Sequence, residues 1–414
     1  MMTSHCGVTL AIICWMIVFF KQTQTSNGSE LSFSPCGGVG KICRCRGTTA
    51  DCSRNGGKLT FIPAFSRRIT ALNISFNRLS SIRSENFFKN VTELTELDIS
   101  GNYMSTVKTG AFKVCTRLNI LYSRKNKMNY STLGEILDIP TLRVLDLTHC
   151  SLRNMPNDLF HRNVTSRLTT LILDKNMNTR MNMSAVKPLR YLKHLSLSQS
   201  LVSGVVPDHL PFLEKLEITF TFLSSFPLTC DDRGEAFYPT LVYMDMNGNR
   251  VTSVPSPFFV EPYLCLPNLT VLKLNHNCLI TLDMTVFKHL NNLRELSSTR
   301  SSIENIYPEY LRSLRRLDVH NNLLQHFPET CVVGSRSFYP RLSYLDIGLN
   351  EIRFFSYPNP APTICLPWLT ELVIKYPEQD ELDMSFFKHL TNLTKLNAKK
   401  WKYRHDPCPT SCRL

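Results

Sequence analysis

"ITALNISFNRL", Ile69 to Leu79, and "LTELDISGNYM", Leu94 to Met104, obey one rule, L-x-x-L-x-L-x-x-N-x-L, with Ile and Met standing in for Leu. The same frame restarts at Leu118, Leu142, Leu168, Leu192, Leu213, Leu241, Leu269, Leu293, Leu314, Leu342, Leu369 and Leu393, giving fourteen starts spaced 21 to 28 residues apart. In the L-x-L core of each frame the leucines alternate, so they point to one face of a short strand and the x residues point to solvent. Burying each leucine contributes roughly 1.5–3 kcal/mol. One such unit has nothing of its own to bury them against, so the units must stack.

A period of this length and pattern is that of the leucine-rich repeat. The expected fold is therefore α/β, a leucine-rich repeat solenoid (horseshoe) with a concave parallel sheet. A longer period lies on top of the short one. "LDMTVFKHLNNLREL", Leu282 to Leu296, returns as "LDMSFFKHLTNLTKL", Leu382 to Leu396. From Leu192 the steps run 21, 28, 28, 24 and then 21, 28, 27, 24, so a block of four repeats is used twice. "FYPTLVYMDMNGN" at Phe237 and "FYPRLSYLDIGLN" at Phe338 belong to the two copies, as do Cys230 with Cys265 and Cys331 with Cys365.

The position after LxxLxLxx turns the chain. An Asn amide both donates and accepts, which suits it to satisfy backbone groups there. Asn77, Asn102, Asn126, Asn176, Asn249, Asn277, Asn322 and Asn350 hold it, with Cys150, Ser200, Thr221 and Ser301 as small substitutes. Phe87, Phe112, Phe160, Phe259, Phe287 and Phe387 each stand eighteen residues after a start and read as a stacked spine on the convex side.

The chain of 414 residues is 43% hydrophobic and 19% charged, which fits a folded protein. Its net charge of +14 favours anionic partners such as nucleic acid, glycans, lipid headgroups or acidic proteins, or simply keeps it soluble. "VTLAIICWMIVFF", Val8 to Phe20, has the length of a signal peptide core and is too short for a comfortable membrane span; no later segment is long and apolar enough to span. Eight N-x-S/T triplets, at Asn27, Asn73, Asn90, Asn129, Asn163, Asn182, Asn268 and Asn392, fit a secreted glycoprotein. So do fifteen cysteines. Removing Cys6 and Cys14 with the signal leaves an odd number, so one thiol is free or its partner lies outside this chain.

Cys36, Cys43, Cys45 and Cys52 stand directly before the first repeat in C-x6-C-x-C-x6-C spacing. Zinc and disulfides compete for such a set; secretion and position favour disulfides. The arrangement resembles the N-terminal cysteine cap of extracellular leucine-rich repeat proteins. That resemblance implies Cys36–Cys43 with Cys45–Cys52, or Cys36–Cys45, and the sequence does not choose. Cys230–Cys265 and Cys331–Cys365 are expected to staple the two longer repeats. Cys115 and Cys278 have no assigned role. At the other end the ladder position falls on Trp401, and "DPCPTSCRL" with Cys408 and Cys412 departs from a four-cysteine C-terminal cap, which points to an unusual short cap or a truncated sequence. The expected division is a signal peptide over 1–26, the cap over 27–66, about fourteen repeats over 67–404 and a short end over 405–414.

Cap, irregular repeat lengths, asparagine ladder and phenylalanines together resemble the ectodomain of a Toll-like receptor. The resemblance implies an extracellular or endosomal recognition module of innate immunity that binds microbial ligands and forms homo- or heterodimers. The TIR domain and membrane span of that family are missing from this chain. The alternative is a secreted repeat protein of matrix or adhesion type that binds other proteins. No G-x-S-x-G, H-E-x-x-H or complete phosphate loop is present, so no enzyme and no cofactor are expected; "GGVGK" at Gly37 reads as a cap loop. Ligand candidates are solvent-facing positions of the frame: Tyr122, Arg143, His149, His194, Tyr243, His276, Arg315, Arg316 and His320. The competing reading is that they are ordinary exposed strand residues. His149 and His276 fill equivalent slots, one before the ladder, and suggest an acid-dependent, anion-binding face. "KKWKYR", Lys399 to Arg404, is a basic and aromatic edge that suits nucleic acid or glycan, or merely closes the last repeat.

Overall fold

The computed structural model describes residues 34–35 and 42–401, apart from 58, 60–61, 66–67, 154, 157–166, 255–263, 333–335, 353–363 and 378–386. The expected signal peptide with Cys6 and Cys14, Cys36, the Gly37 loop, Asn27, Asn163, Phe160, Phe259, the side chains of Lys399–Arg404, and Cys408 and Cys412 all lie outside the described residues.

Two residues after each start a strand begins. The series runs from Ala71–Asn73 and Glu96–Asp98 through Tyr243–Asp245 and Val271–Lys273 to Glu371–Pro377 and Lys395–Trp401. Neighbours pair in parallel, and each pairing places equivalent frame positions opposite one another. The middle residue is the inward one. From Leu72, Leu97, Leu121, Leu145 and Leu171 to Leu345 and Leu372 these side chains form one column, none more than 2% exposed. Phe87, Phe112, Phe287 and Phe387 are buried against the same core, and Phe88 stacks on Phe112 at 5.2 Å.

The return path is mostly turns. Short parallel pairs recur there, such as Arg180–Asn182 with Gly204–Val206 and Thr281–Asp283 with Asn305–Tyr307. The "LDMTVF" stretch of the duplicated block makes one of these strands and then a 3-10 turn, Met284–Phe287, capped by Asp283 Oδ1 accepting the Thr285 N–H at 2.9 Å. The α-helical content among the described residues is a single helix, Tyr130–Leu137. No helix of the described residues is long and apolar enough to cross a membrane.

At the N-terminus a three-stranded antiparallel cap, Ser34–Pro35, Arg44–Arg46 and Thr49–Asp51, joins the solenoid by pairing Thr49–Asp51 in parallel with Ala71–Asn73. It carries a disulfide between Cys43 and Cys52. This excludes the first pairing implied by resemblance, Cys36–Cys43 with Cys45–Cys52, and is compatible with the alternative, Cys36–Cys45. The hairpin sets Arg44 opposite Asp51 and Cys45 opposite Ala50, so the next step outward places Cys43 directly across from Cys52, with α-carbons 4.2 Å apart. Cys45 and Cys278 are disulfide-bonded as well, while Cys115 and Cys150 are free and buried. The structure pairs Cys230 with Cys265 and Cys331 with Cys365.

The asparagine ladder ties one repeat to the next. Asn102 is fully buried. Its Nδ2 donates to the Ile99 carbonyl of its own turn at 2.8 Å and to the Ile74 carbonyl of the preceding repeat at 3.0 Å. Its Oδ1 accepts the N–H of Asn77 at 2.7 Å and of Leu79 at 3.3 Å. Asn126, Asn176 and Asn322 repeat this arrangement. Cys150 keeps half of it: its thiol donates to the Ser123 carbonyl at 3.0 Å, and burial pushes its pKa up to about 12, so it stays a neutral donor.

The residue just before the ladder has a left-handed backbone in twelve successive repeats: Phe76, Gly101, Lys125, His149, Lys175, Gln199, Phe220, Gly248, His276, Arg300, Asn321 and Leu349. For a non-glycine residue that costs about 1–2 kcal/mol, which the buried ladder bonds offset. At the two glycines the constraint is also steric. The Phe76 ring lies over Gly101 and the Phe220 ring over Gly248, so an added Cβ would sit 2.5 Å and 2.4 Å from a ring carbon.

Asn102→Ala is expected to cost about 1–3 kcal/mol, read as a lower denaturant midpoint at unchanged slope. Gly101→Ala is expected to destabilise measurably in the native chain, and less when combined with Phe76→Ala, as a double-mutant cycle would detect. Equal costs in both backgrounds would remove the ring contact as a cause.

Candidate binding surface on the sheet

The first and third residues of each strand flank the buried leucine and form a polar wall. Across the fourteen repeats these positions hold four cations, Lys215, Lys273, Arg316 and Lys395, against nine carboxylates. The carboxylates are Glu96, Asp98, Asp146, Glu217, Asp245, Glu295, Asp318, Asp346 and Glu371. The wall is therefore net negative inside a chain whose total is +14. The expectation of an anion-binding face does not fit these strand positions.

Four of these nine acids have a structural duty that the sequence reading missed. Asp98, Asp146, Asp245 and Asp346 each accept, through Oδ1, the N–H two residues on, at 2.8–3.0 Å, and so end the strand in an Asx turn. Asn73 does the same for Ser75 at 2.9 Å. The signal was the recurrent L-D of "LDIS", "LDLT", "LDVH" and "LDIG", which passes for a solvent-facing x position.

Several of the predicted residues are drawn together here. Arg124 covers the Tyr122 ring at 4.7 Å and pairs with Asp146, which is almost fully buried. His194 Nε2 and Lys215 Nζ both meet Glu217 Oε2, at 2.6 and 2.9 Å. Tyr243 stands between Lys215 and Lys273, 5.2 and 5.4 Å from its ring, and its hydroxyl donates to Asp245 Oδ2 at 3.0 Å. Arg316 stacks on Tyr344 at 3.5 Å and lies 3.8 Å from Asp318. His320 Nδ1 meets Asp318 Oδ1 at 2.7 Å, and the Tyr344 hydroxyl donates to Asp346 at 3.2 Å. Asp318, His320 and Asp346 offer donor atoms within 4.8 Å of one another. Arg143 and Arg315 stand one residue before their strands, at the edge of the wall, where the Arg143 side chain donates to the Arg167 carbonyl. His149 and His276 do not join the wall positions; they occupy the left-handed turn.

Of the sequons in the described residues, Asn73 alone is a strand position of the wall. Asn129 and Asn182 cap helical turns, and Asn90, Asn268 and Asn392 donate to the carbonyls of Ile62, Pro239 and Pro367.

Position separates the two histidines electrically. The hydrogen bond to Asp318 raises the pKa of His320, aided by the charges of Asp318 and Asp346 and opposed by burial and by Arg300. Burial lowers that of His276, with Arg300 and His320 adding to the effect. The signs are therefore opposite. Stability from His320 is complete below the ordinary histidine range and is lost as pH rises through its raised value; that from His276 is present above the ordinary range and is lost as pH falls. The histidine whose charged form this surface favours is thus His320, held by Asp318 and Asp346. Imidazole NMR titration should place His320 above free histidine and His276 below it, and Asp318→Asn should bring His320 down. A common midpoint for both would contradict this geometry.

The Leucine rich repeat family profile matches residues 67–128, 92–152 and 239–303. Rattus norvegicus osteomodulin is 25% identical over 321 residues, covering 73% of this chain and 65% of its own length. Gallus gallus tsukushi is 24% identical over 321 residues, covering 76% of this chain and 84% of its own. Among solved structures, the fold is similar to that of the TLR13–ssRNA13 complex, with a TM-score of 0.58 and 18% identity over 82% of this chain and 54% of that one. A leucine-rich repeat protein of Leptospira interrogans gives 0.56 and 22%, over 81% and 79%. Profile, relatives and architecture agree on one statement: the chain is a leucine-rich repeat solenoid.

Proposed function

We propose that this chain is a secreted repeat protein of matrix or adhesion type, a binding module without catalytic activity, which engages a protein partner through the polar wall of its sheet. The observation that carries the reading is the wall itself: a continuous run of parallel strands whose charged and aromatic side chains are already fixed by their neighbours before any partner arrives. Pre-set side chains lose little freedom on binding, which is where affinity is usually lost. The sequence similarity to osteomodulin and tsukushi, matrix repeat proteins, extends over about three quarters of the chain. The disulfides suit an oxidising, extracellular setting. A Toll-like receptor ectodomain is the second reading; its support is the fold alone, at 18% identity.

Glycosylation at Asn73 would cover the first repeat of the wall and leave the later ones open. A glycan placed at the centre tests the reading. Val271→Asn with Lys273→Thr creates a sequon on a middle strand. Binding of the secreted glycoprotein to immobilised extracellular-matrix proteins, measured by surface plasmon resonance, should fall at least tenfold with secretion unchanged. Undiminished matrix binding, or saturable binding to single-stranded RNA in its place, would overturn the assignment.

A further inference from the structure

The wall is net negative, so the charge of +14 lies elsewhere on the molecule. Part of it is gathered along one edge, where the chain leaves each strand. Two positions define that edge: the left-handed residue before the ladder and the residue just after the ladder. From the cap, where Arg54 takes the left-handed slot, to the repeat starting at Leu168 they hold five cations, Arg54, Arg78, Lys125, Lys127 and Lys175, and no carboxylate. In the seven repeats that follow, the same positions hold two cations, Arg250 and Arg300, and one acid, Glu351.

The row is continuous. The Arg54 N–H donates to the Ser75 carbonyl, that of Phe76 to Ser100, that of Gly101 to Arg124 and that of Lys125 to Thr148. Through His149 the row reaches Lys175 in five such steps, or about 24 Å at the usual strand spacing. The five cationic side chains are exposed. Among the described residues none of them is paired with a carboxylate, whereas Lys215, Arg316 and Lys395 of the wall each face one.

The acids that could answer the row are engaged elsewhere. Asp51 and Asp98 hold the N–H two residues on, at 2.9 and 2.8 Å. Asp146 has Arg124, and Asp174 accepts the Ser196 hydroxyl and the Ser198 N–H. Beyond the row, Glu85 pairs with Lys108 and Glu135 accepts the Thr109 hydroxyl. No sequon falls on the two positions; Asn129, two residues past Lys127, has its side-chain oxygen on the Thr132 N–H of the helix it caps.

A line of unanswered positive charge suits a linear polyanion. Single-stranded nucleic acid also asks for aromatic rings on which successive bases stack. Phe76 is already occupied, with Gly101 against its ring and the Arg54 guanidinium 5.5 Å from the ring centre. Tyr103 is open but makes no platform alone. A sulfated glycan needs no stacking platform, since its charges lie along the chain. The acidic wall beside the row repels such a chain and confines it to the edge.

We infer that the edge from Arg54 to Lys175 is a second binding surface, separate from the wall, and that its ligand is a linear sulfated glycan.

Binding of the secreted glycoprotein to immobilised heparin, measured by surface plasmon resonance at physiological salt, tests this. Arg78→Gln, Lys125→Gln and Lys127→Gln together should weaken it at least tenfold and flatten its salt dependence, because fewer counterions are released. Arg294→Gln, Arg312→Gln and Arg341→Gln remove the same charge from the edge where the chain enters its strands, and should cost less than about twofold. Lys125→Arg with Lys127→Arg should bind as the native chain does. Unchanged circular dichroism and melting check that these exposed substitutions leave the fold intact. The central glycan of Val271→Asn with Lys273→Thr should leave heparin binding undiminished, which separates this surface from the wall. Equal losses from the two triple variants, or no binding to heparin, overturn the proposal. So does undiminished binding of desulfated heparin, or tighter binding of single-stranded RNA or anionic phospholipid vesicles through the same three residues.

Discussion

A buried side-chain amide with backbone partners in its own and the neighbouring repeat is the constraint on which this molecule depends. The turn after each strand leaves main-chain N–H and C=O groups inside the protein, where an unsatisfied one costs about 1–3 kcal/mol. Asn102 answers four of them at once, two by donating and two by accepting. Because some of those partners belong to the preceding repeat, the register of each strand is set by its neighbour as well as by its own leucines. The left-handed residue before the ladder follows from the same need, since it turns the amide inward.

Once register is fixed, side chains at equal frame positions become neighbours however far apart they lie in sequence. That is how Tyr243 meets Lys215 and Lys273, and how Arg316 meets Tyr344. Duplication of four repeats then copies contacts as faithfully as it copies residues. The wall inherits a two-fold internal repetition that neither half shows alone.

Much of this was legible in the sequence. The frame starting at Ile69 located the fourteen repeat strands of the main sheet, though not the three cap strands that extend it, because leucine alternation and asparagine position are both direct consequences of burial. The four-repeat duplication was legible for the same reason. The site was legible only in part. His149 and His276 share a slot in the frame, and in the structure that slot is the left-handed backbone turn before the ladder. The aspartates were passed over because a carboxylate at a solvent-facing position looks ordinary until its Oδ1 is seen holding the N–H two residues on. The cap pairing came from resemblance, and the hairpin register, which decides it, is not written in cysteine spacing. The net charge of the whole chain does not describe the wall, because the strand positions are a small sample with its own balance.

Native-state hydrogen exchange tests the central claim most directly. The amides of Asn77, Leu79, Asn102 and Met104 lie in loop segments after the strands, yet each donates to a ladder amide of the next repeat. The account predicts protection at these four comparable to that of the strand leucines beside them. Exchange at the rate of ordinary surface loops, with the strands still protected, would show that the leucine column alone holds the repeats together and would contradict it.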